Sequence, residues 1–399
     1  MKLGTSSLVV AAFVGPGTVL TCATAGVKFG YSLAWVLLFA TAATFVLQSF
    51  TAGMGIMAGK GLGEAMREAV HGTAGRMVVF GLVVLGLWMG TAAFETGNLV
   101  GASAGLETVL GDRIARSWLM VGLALVAGLV LLLDLRVLTQ VLAVLIGAMS
   151  VLFIATMLIA PVDWGAALRG MLIPSLPEGS LLTVIALIGT TIVTYNLFLH
   201  PTVAKHYWAG EAPDRAWRRE LTGMALFIPA GGLISLAIVM AGATLYQTGA
   251  DAETVGGLAV LLEPVAGKTA RVFFGLGLLA AGVTSAVTAP LAAASGIREI
   301  FDWPDDPRDW RYRAVWLSVL LTGLFFGLIG RNPLEIIIAA QAANGLLLPF
   351  IAAFVLYLTY RQQALTLPRW YLALGVLVTL ICAGLGARTL WWVWTQLGF

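Results

Sequence analysis

Two interruptions and one acid hold most of the chemistry this sequence offers. Gly15-Pro16-Gly17-Thr18 breaks the first apolar stretch, Val193-Thr194-Tyr195-Asn196 lies inside the sixth, and Glu95 sits deep in the third. In the first break the proline lacks an N–H and clashes with the preceding turn, while the glycines withhold side-chain cover, so helical hydrogen bonding stops there. Carbonyls and amides freed near mid-membrane depth are dipoles at which a solute can bind. The second interruption has neither Pro nor Gly, and its unwinding is inferred from its matching position. Asn196 and His200 lie four apart and share a helix face, with Tyr195 beside them.

Glu95 occupies the run Met89-Gly90-Thr91-Ala92-Ala93-Phe94-Glu95-Thr96-Gly97-Asn98 and is the only acid well inside the first six apolar stretches. A carboxylate at such depth is costly unless paired, hydrated or protonated, and by default it marks a pathway. Its two readings are coupling-ion or proton handling, with Asn98 one turn on, and a protonated structural glutamate. His200 is suited to carrying a proton near neutral pH, or equally to pairing with a backbone carbonyl. Gln48, Gln140, Gln341 and Asn344 are polar groups in apolar surroundings, which line a cavity or tie helices together. Gln341 and Asn344, three apart, are the better cavity pair. Thr284, Ser285 and Thr288 face it from the eighth stretch, or else pack helix against helix.

The elements that must hold these groups are membrane helices. Of 399 residues, 59% are hydrophobic and only 11% charged, with a mean hydropathy of +0.94. A soluble domain carries about twice that charged fraction. Eleven apolar segments are predicted, at roughly 5–25, 32–58, 76–104, 116–133, 138–160, 181–204, 220–245, 270–295, 312–329, 333–359 and 370–396. Pro229 is expected to kink the seventh. The chain starts MKLGTSS and runs straight into the first segment, so no cleavable leader is expected. Cys22 and Cys382 both lie in apolar segments and suggest no disulfide framework.

Placing the N-terminus inside collects 15 Lys and Arg on the inner side against 8 outside, the sign of the positive-inside bias. The expected protein is therefore a multi-pass cell-membrane protein with a cytoplasmic N-terminus and an external C-terminus. Trp303, Trp310, Trp370, Trp391, Trp392 and Trp394 read as interfacial belt residues. The longer inner connections, 204–220 and 298–311, have the charge of an ordinary cytoplasmic face. No HExxH, nucleophile elbow, phosphate loop or His-rich cluster is present, so neither an enzyme nor a bound cofactor is expected. Nothing in the sequence points to nucleic acid.

The break in segment six lies about 178 residues after the break in segment one. Five segments per half turn the second half upside down, the inverted repeat that supports alternating access. The expected division is 1–160 and 181–360 for the two five-helix repeats, with an additional helix in 370–399. The residues alone point to a solute transporter with a midplane site.

Nearly the whole chain resembles the Nramp family of divalent-metal transporters. The stretch GPGTVLTCATAGVKFGYSLAWVLLFATAATFVLQ (15–48) is similar to the segment that opens with the family's Asp-Pro-Gly-Asn motif, and TYNLFLH (194–200) to its Met-Pro-His-Asn motif and the residues after it. Gly-Leu-Leu-Ala-Ala-Gly at 277–282, then Thr284 and Ser285, resembles segment eight; Gln341 and Leu348-Pro349-Phe350 resemble segment ten. The resemblance implies an all-α membrane protein with the LeuT-type 5+5 inverted repeat and about 11 transmembrane helices.

It also implies a site whose ligands are largely lost. Gly15, Thr18 and Val193 stand where the family's Asp, Asn and Met contribute side chains to the metal; Thr194 and Tyr195 replace its Pro and His. Pro16, Gly17 and Asn196 remain. Glu95 matches a glutamate kept in segment three, and Ala92 replaces an aspartate near it. A divalent ion in a low-dielectric cavity requires oxygen or nitrogen ligands and usually negative charge, and valine cannot replace a thioether. A tightly hydrated Mg2+ held through its waters would need an acid elsewhere, for which Glu95 is the candidate. The expected function is secondary transport of a small inorganic cation, divalent by resemblance, with proton coupling as one mode. The alternative is a non-metal small solute on the same scaffold.

Overall fold

The apolar runs fold into helices whose spacing is set by glycine and alanine. The computed structural model describes Thr5 and residues 15–70, 73–111, 113–133, 136–246, 248, 254–330, 332–361 and 367–396. In chain order the helices are α1 (Pro16–Phe29), α2 (Ala34–Met57), α3 (Leu62–Ala69), α4 (Thr73–Leu110), α5 (Arg116–Leu133), α6 (Arg136–Ile159), α7 (Trp164–Leu172), α8 (Leu181–Thr191), α9 (Thr194–Tyr207) and α10 (Pro213–Ala243). Short helical turns at 257–269 lead into α11 (Ala270–Phe301), α12 (Trp310–Ile329), α13 (Pro333–Arg361) and α14 (Arg369–Gln396).

Among the described residues, ten stretches are long and apolar enough to cross a bilayer. They match predicted segments two to eleven, with α8 and α9 together forming one span. Of predicted segment one, α1 supplies the later part, and residues 6–14 lie outside the described residues. The short helices α3 and α7 and the turns at 257–269 fall in connections to which the sequence reading gave no structure. Pro229 lies within an unbroken α10.

The core of the bundle is α4 laid against α11, α12 and α13. A Cβ on Gly105 would lie 2.5 Å from the Gly275 carbonyl, and one on Gly275 equally close to that of Gly105. Only glycine at both positions lets the two backbones touch, the small-residue packing of membrane helices. The same device joins α8 to α13, where a Cβ on Gly189 would fall 2.0 Å from the Gln341 carbonyl. Outward faces are apolar: Gln140 is exposed on α6, on the face that carries Val144 at 71% exposure. The expectation that Gln140 lines a cavity or ties helices is therefore corrected, because that face looks away from the bundle.

Candidate functional site

The break in the sixth segment is real and needs no proline. α8 ends at Thr191 and α9 begins at Thr194, with Ile192 (φ −95°, ψ 84°) and Val193 (φ −84°, ψ 119°) between them outside the helical region. Buried backbone groups freed by a break need partners. Asn344 of α13 supplies most of them: its Nδ2 donates to the carbonyls of Gly189 (2.5 Å) and Ile192 (3.2 Å), and its Oδ1 accepts from Thr194 Oγ1 (2.6 Å) and Thr194 N (3.4 Å). Thr44 Oγ1 of α2 donates to the Thr191 carbonyl at 3.2 Å. Asn344 thus acts as a tie rather than a cavity wall.

At the first break, Gly15 is extended (φ −90°, ψ 177°) and Pro16 opens α1, a position where its missing N–H costs nothing. Pro16 lies against the backbone of α4, since a Cβ on Gly101 would sit 2.4 Å from that of Pro16. Gln341 lies directly over Gly17, whose absent Cβ would fall 2.1 Å from Nε2. At Gly15 the corresponding point is 3.1 Å from Ser285 Oγ and 3.9 Å from Asn98 Oδ1. Thr18 meets Thr190 through their hydroxyls at 2.8 Å, linking the two broken segments. Gly15, Gly17, Thr18, Asn98, Ser285 and Gln341 are therefore gathered around one break, and Asn344 and Thr194 around the other.

Several buried polar atoms have no hydrogen-bond partner among the described residues: Ser285 Oγ, Thr284 Oγ1, both amide atoms of Gln341, Asn196 Oδ1 and Glu95 Oε1. Leaving such groups unpaired costs roughly 1–3 kcal/mol each; of these, Ser285 and Gln341 stand against Gly15 and Gly17 at the start of α1, and Asn196 lies in the first turn of α9. Thr288 is not one of them, as its hydroxyl reaches the carbonyls of Thr284 and Ser285. Val193 is buried and apolar, and Tyr195 packs edge-on against Phe94 at 5.4 Å.

Glu95 is fully buried and receives a single side-chain hydrogen bond, from Asn98 Nδ2 at 3.3 Å. Its methylenes rest on α12, where a Cβ on Gly323 would lie 2.6 Å from Glu95 Cγ. Asn98 therefore lies between the carboxylate and Gly15. Among the described residues, no three His, Cys, Asp or Glu side chains come together to hold a metal ion.

His200 pairs with two side chains rather than with a backbone carbonyl. Nδ1 lies 2.7 Å from Gln48 Oε1 and Nε2 lies 3.0 Å from Glu220 Oε1, with the ring and the carboxylate fully buried. Gln48 is thus a helix tie. Asn196 does not join this group, although it shares the helix. Sequence reasoning missed Glu220 and a second acid, Glu299, which accepts from Thr202 Oγ1 (2.5 Å) and Gly63 N (3.1 Å). The available signal was the lone acid ending Arg218-Arg219-Glu220 at the start of an apolar run.

Residues 6–392 match the family model described as "Natural resistance-associated macrophage protein-like". The chain belongs to that family. It is 28% identical over 375 residues to the divalent metal cation transporter MntH of Acidiphilium cryptum, covering 88% of this chain and 80% of that one. The MntH of Burkholderia ambifaria is 26% identical over 403 residues, covering 95% and 86%. A crystal structure of a manganese transporter from Eremococcus coleocola superposes with a TM-score of 0.76 at 19% identity, covering 97% of this chain and 85% of that one. MhsT in complex with L-phenylalanine superposes at 0.62 and 16% identity, covering 97% and 98%.

The Nramp chain described here is thus an all-α, multi-pass membrane transporter of the LeuT type, not an enzyme. Among the described residues, α8 and α9 are separated by a break, and α1 starts at Pro16 behind an extended Gly15. The side chains around them are hydroxyls and amides.

Proposed function

We propose that this Nramp member is a secondary transporter that moves a divalent inorganic cation through the two helix breaks, with the ion retaining part of its water shell. One observation carries the reading: unpartnered Ser285 and Gln341 atoms stand against Gly15 and Gly17 where α1 starts, and Asn196, with an unpartnered Oδ1, lies in the first turn after the second break. Neutral oxygens of this kind accept hydrogen bonds from bound water, whereas direct coordination of a bare divalent ion calls for carboxylate. Glu95, hydrogen-bonded by Asn98, supplies the nearest negative charge and the group through which protons are coupled. With Val193 in place of a sulfur ligand, Mg2+ is at least as good a substrate as Mn2+. The names of the relatives, divalent metal cation and manganese transporters, support the divalent class.

The two repeats span 1–160 and 181–360, with 370–399 as the added helix, and the N-terminus is cytoplasmic; the placement of α1 and α8–α9 and the charge asymmetry support this. A second reading, transport of a small neutral or anionic solute, is favoured by one feature: neither break carries a charged side chain, and helix ends bind uncharged or anionic groups through their dipoles.

Uptake of Mg2+ and Mn2+ into proteoliposomes, each with and without an inward proton gradient, tests the proposal. Saturable uptake of either supports it, and gradient dependence supports proton coupling. Absence of both from folded, inserted protein leaves the second reading.

A further inference from the structure

Two buried carboxylates, Glu220 and Glu299, hold α9 between them through His200 and Thr202. Glu220 of α10 is fully buried and collects at least four donors. Thr5 N (3.1 Å) and Trp208 Nε1 (2.7 Å) reach Oε2; Thr5 Oγ1 (2.9 Å) and His200 Nε2 (3.0 Å) reach Oε1. Glu299 of α11 takes Thr202 from α9 and Gly63 from the first turn of α3. Between these contacts, α9 presses on α2 so tightly that a Cβ on Gly55 would lie 2.3 Å from the Pro201 carbonyl.

The opposite end is indented. A cleft of about 540 Å³ there is lined by Glu107, Arg116, Thr254, Arg271 and Asn332 among others. Arg271 and Glu299 stand at the two ends of α11, roughly 42 Å apart at 1.5 Å per residue, about the full thickness of a bilayer with its headgroups. The described residues are thus packed tightly around the two carboxylates and recessed at the other end.

We propose that Glu220 and Glu299 form a two-sided clamp on α9, and that Glu220 is the half that must release Thr5, His200 and Trp208 for the site to open on that side. α9 starts at the second break, so its position decides whether a path leads from the site to this surface. The inference rests on reading the chain as a transporter. A carboxylate is the one side chain that satisfies this geometry, because it offers two acceptor oxygens and no donor. A glutamine offers one acceptor and an NH2 group, so at least two of the four buried donors would face another donor. Such a mismatch opens the clamp while keeping the volume of the side chain.

The test uses Ala204→Cys as reporter, since Ala204 is fully buried on α9 beside Ile56, Trp208 and Ala216. The native thiols Cys22 and Cys382 are buried and report general unfolding. In purified protein, Glu220→Gln is expected to raise labelling of the reporter by a water-soluble maleimide about tenfold, through a shift in the open population. Glu220→Asp, which keeps both acceptors, stays within about threefold of the parent. Thr5→Val, which removes one donor and keeps shape, gives an intermediate rise. Unchanged labelling in Glu220→Gln, with Cys22 and Cys382 still unreactive, overturns the proposal. If that variant exposes the native thiols, Thr5→Val decides: a rise supports the clamp and no change overturns it. No substrate is involved, so failure here is distinct from failure of cation uptake.

Discussion

Asn344 Oδ1 accepts the Thr194 hydroxyl at 2.6 Å across 150 residues of sequence, while its amide donates to the carbonyls of Gly189 and Ile192. One side chain thus replaces the hydrogen bonds that the sixth segment loses where it unwinds. Replacement by alanine leaves two carbonyls, an amide N–H and a hydroxyl without it, at roughly 1–3 kcal/mol for each buried group left unpaired. Asn344→Ala is expected to lower the thermal unfolding midpoint in detergent by more than any other single polar-to-alanine change at the breaks. Ser285→Ala, which removes an atom that has no partner among the described residues, is expected to leave the midpoint within a few degrees. A reversed order of the two midpoints would remove Asn344 as the tie.

Glu95 makes a sharper separation between structure and transport. Glu95→Gln keeps the methylenes that rest on Gly323 and an oxygen for Asn98, so expression and unfolding should change little. Proton-gradient dependence of uptake should disappear, with any residual uptake following the substrate gradient alone. Uptake that stays proton-driven in this variant would assign coupling elsewhere. Gly323→Ala gives the steric counterpart: its methyl would land 2.6 Å from Glu95 Cγ. Overpacking of this kind costs about 1–3 kcal/mol, so the variant should be less stable than Glu95→Gln and show a lower unfolding midpoint.

The parts of the site that were legible in the sequence are those that local chemistry decides. Proline and glycine disclose the first break. The second, with neither residue, was readable only from its spacing, because its unwinding depends on Asn344 from another helix. Glu95 stood out because no charge is cheap deep in an apolar run. Glu220 and Glu299 did not, since each follows an arginine near a predicted segment edge, where charges are normally solvated. Only the packed bundle shows that Thr5, His200, Trp208, Thr202 and Gly63 point their donors at them. Gln140 failed in the other direction: polarity within an apolar run reveals nothing about which face it occupies.

The orientation proposed from the charge asymmetry can be read directly. Single-cysteine labelling in intact cells should leave Arg215→Cys, at the exposed start of α10, unreactive toward an impermeant maleimide. Arg388→Cys, near the end of α14, should react. The opposite pattern would invert the assignment and place the Glu220 clamp on the external side.

Positions 15 and 193, which the family resemblance pairs with metal-ligand side chains, offer the most direct test of what this scaffold selects. The Gly15 backbone is extended with a negative φ, so aspartate is tolerated there without backbone strain. Its Cβ would meet Ser285 Oγ at 3.1 Å, a crowding that a serine relieves by turning its hydroxyl to donate to the new carboxylate. Val193 is buried, and methionine there needs space along an already packed break. Gly15→Asp alone is therefore expected to strengthen Mn2+ binding at least tenfold, about 1.4 kcal/mol, by bringing a charge to the break. Adding Val193→Met should favour Mn2+ over Mg2+, because a thioether suits softer ions. Calorimetric titration of both variants with both ions measures this. If Gly15→Asp binds Mn2+ no better than the parent, position 15 does not face the cation, and the cluster around Ser285, Asn98 and Gln341 would belong to a different solute.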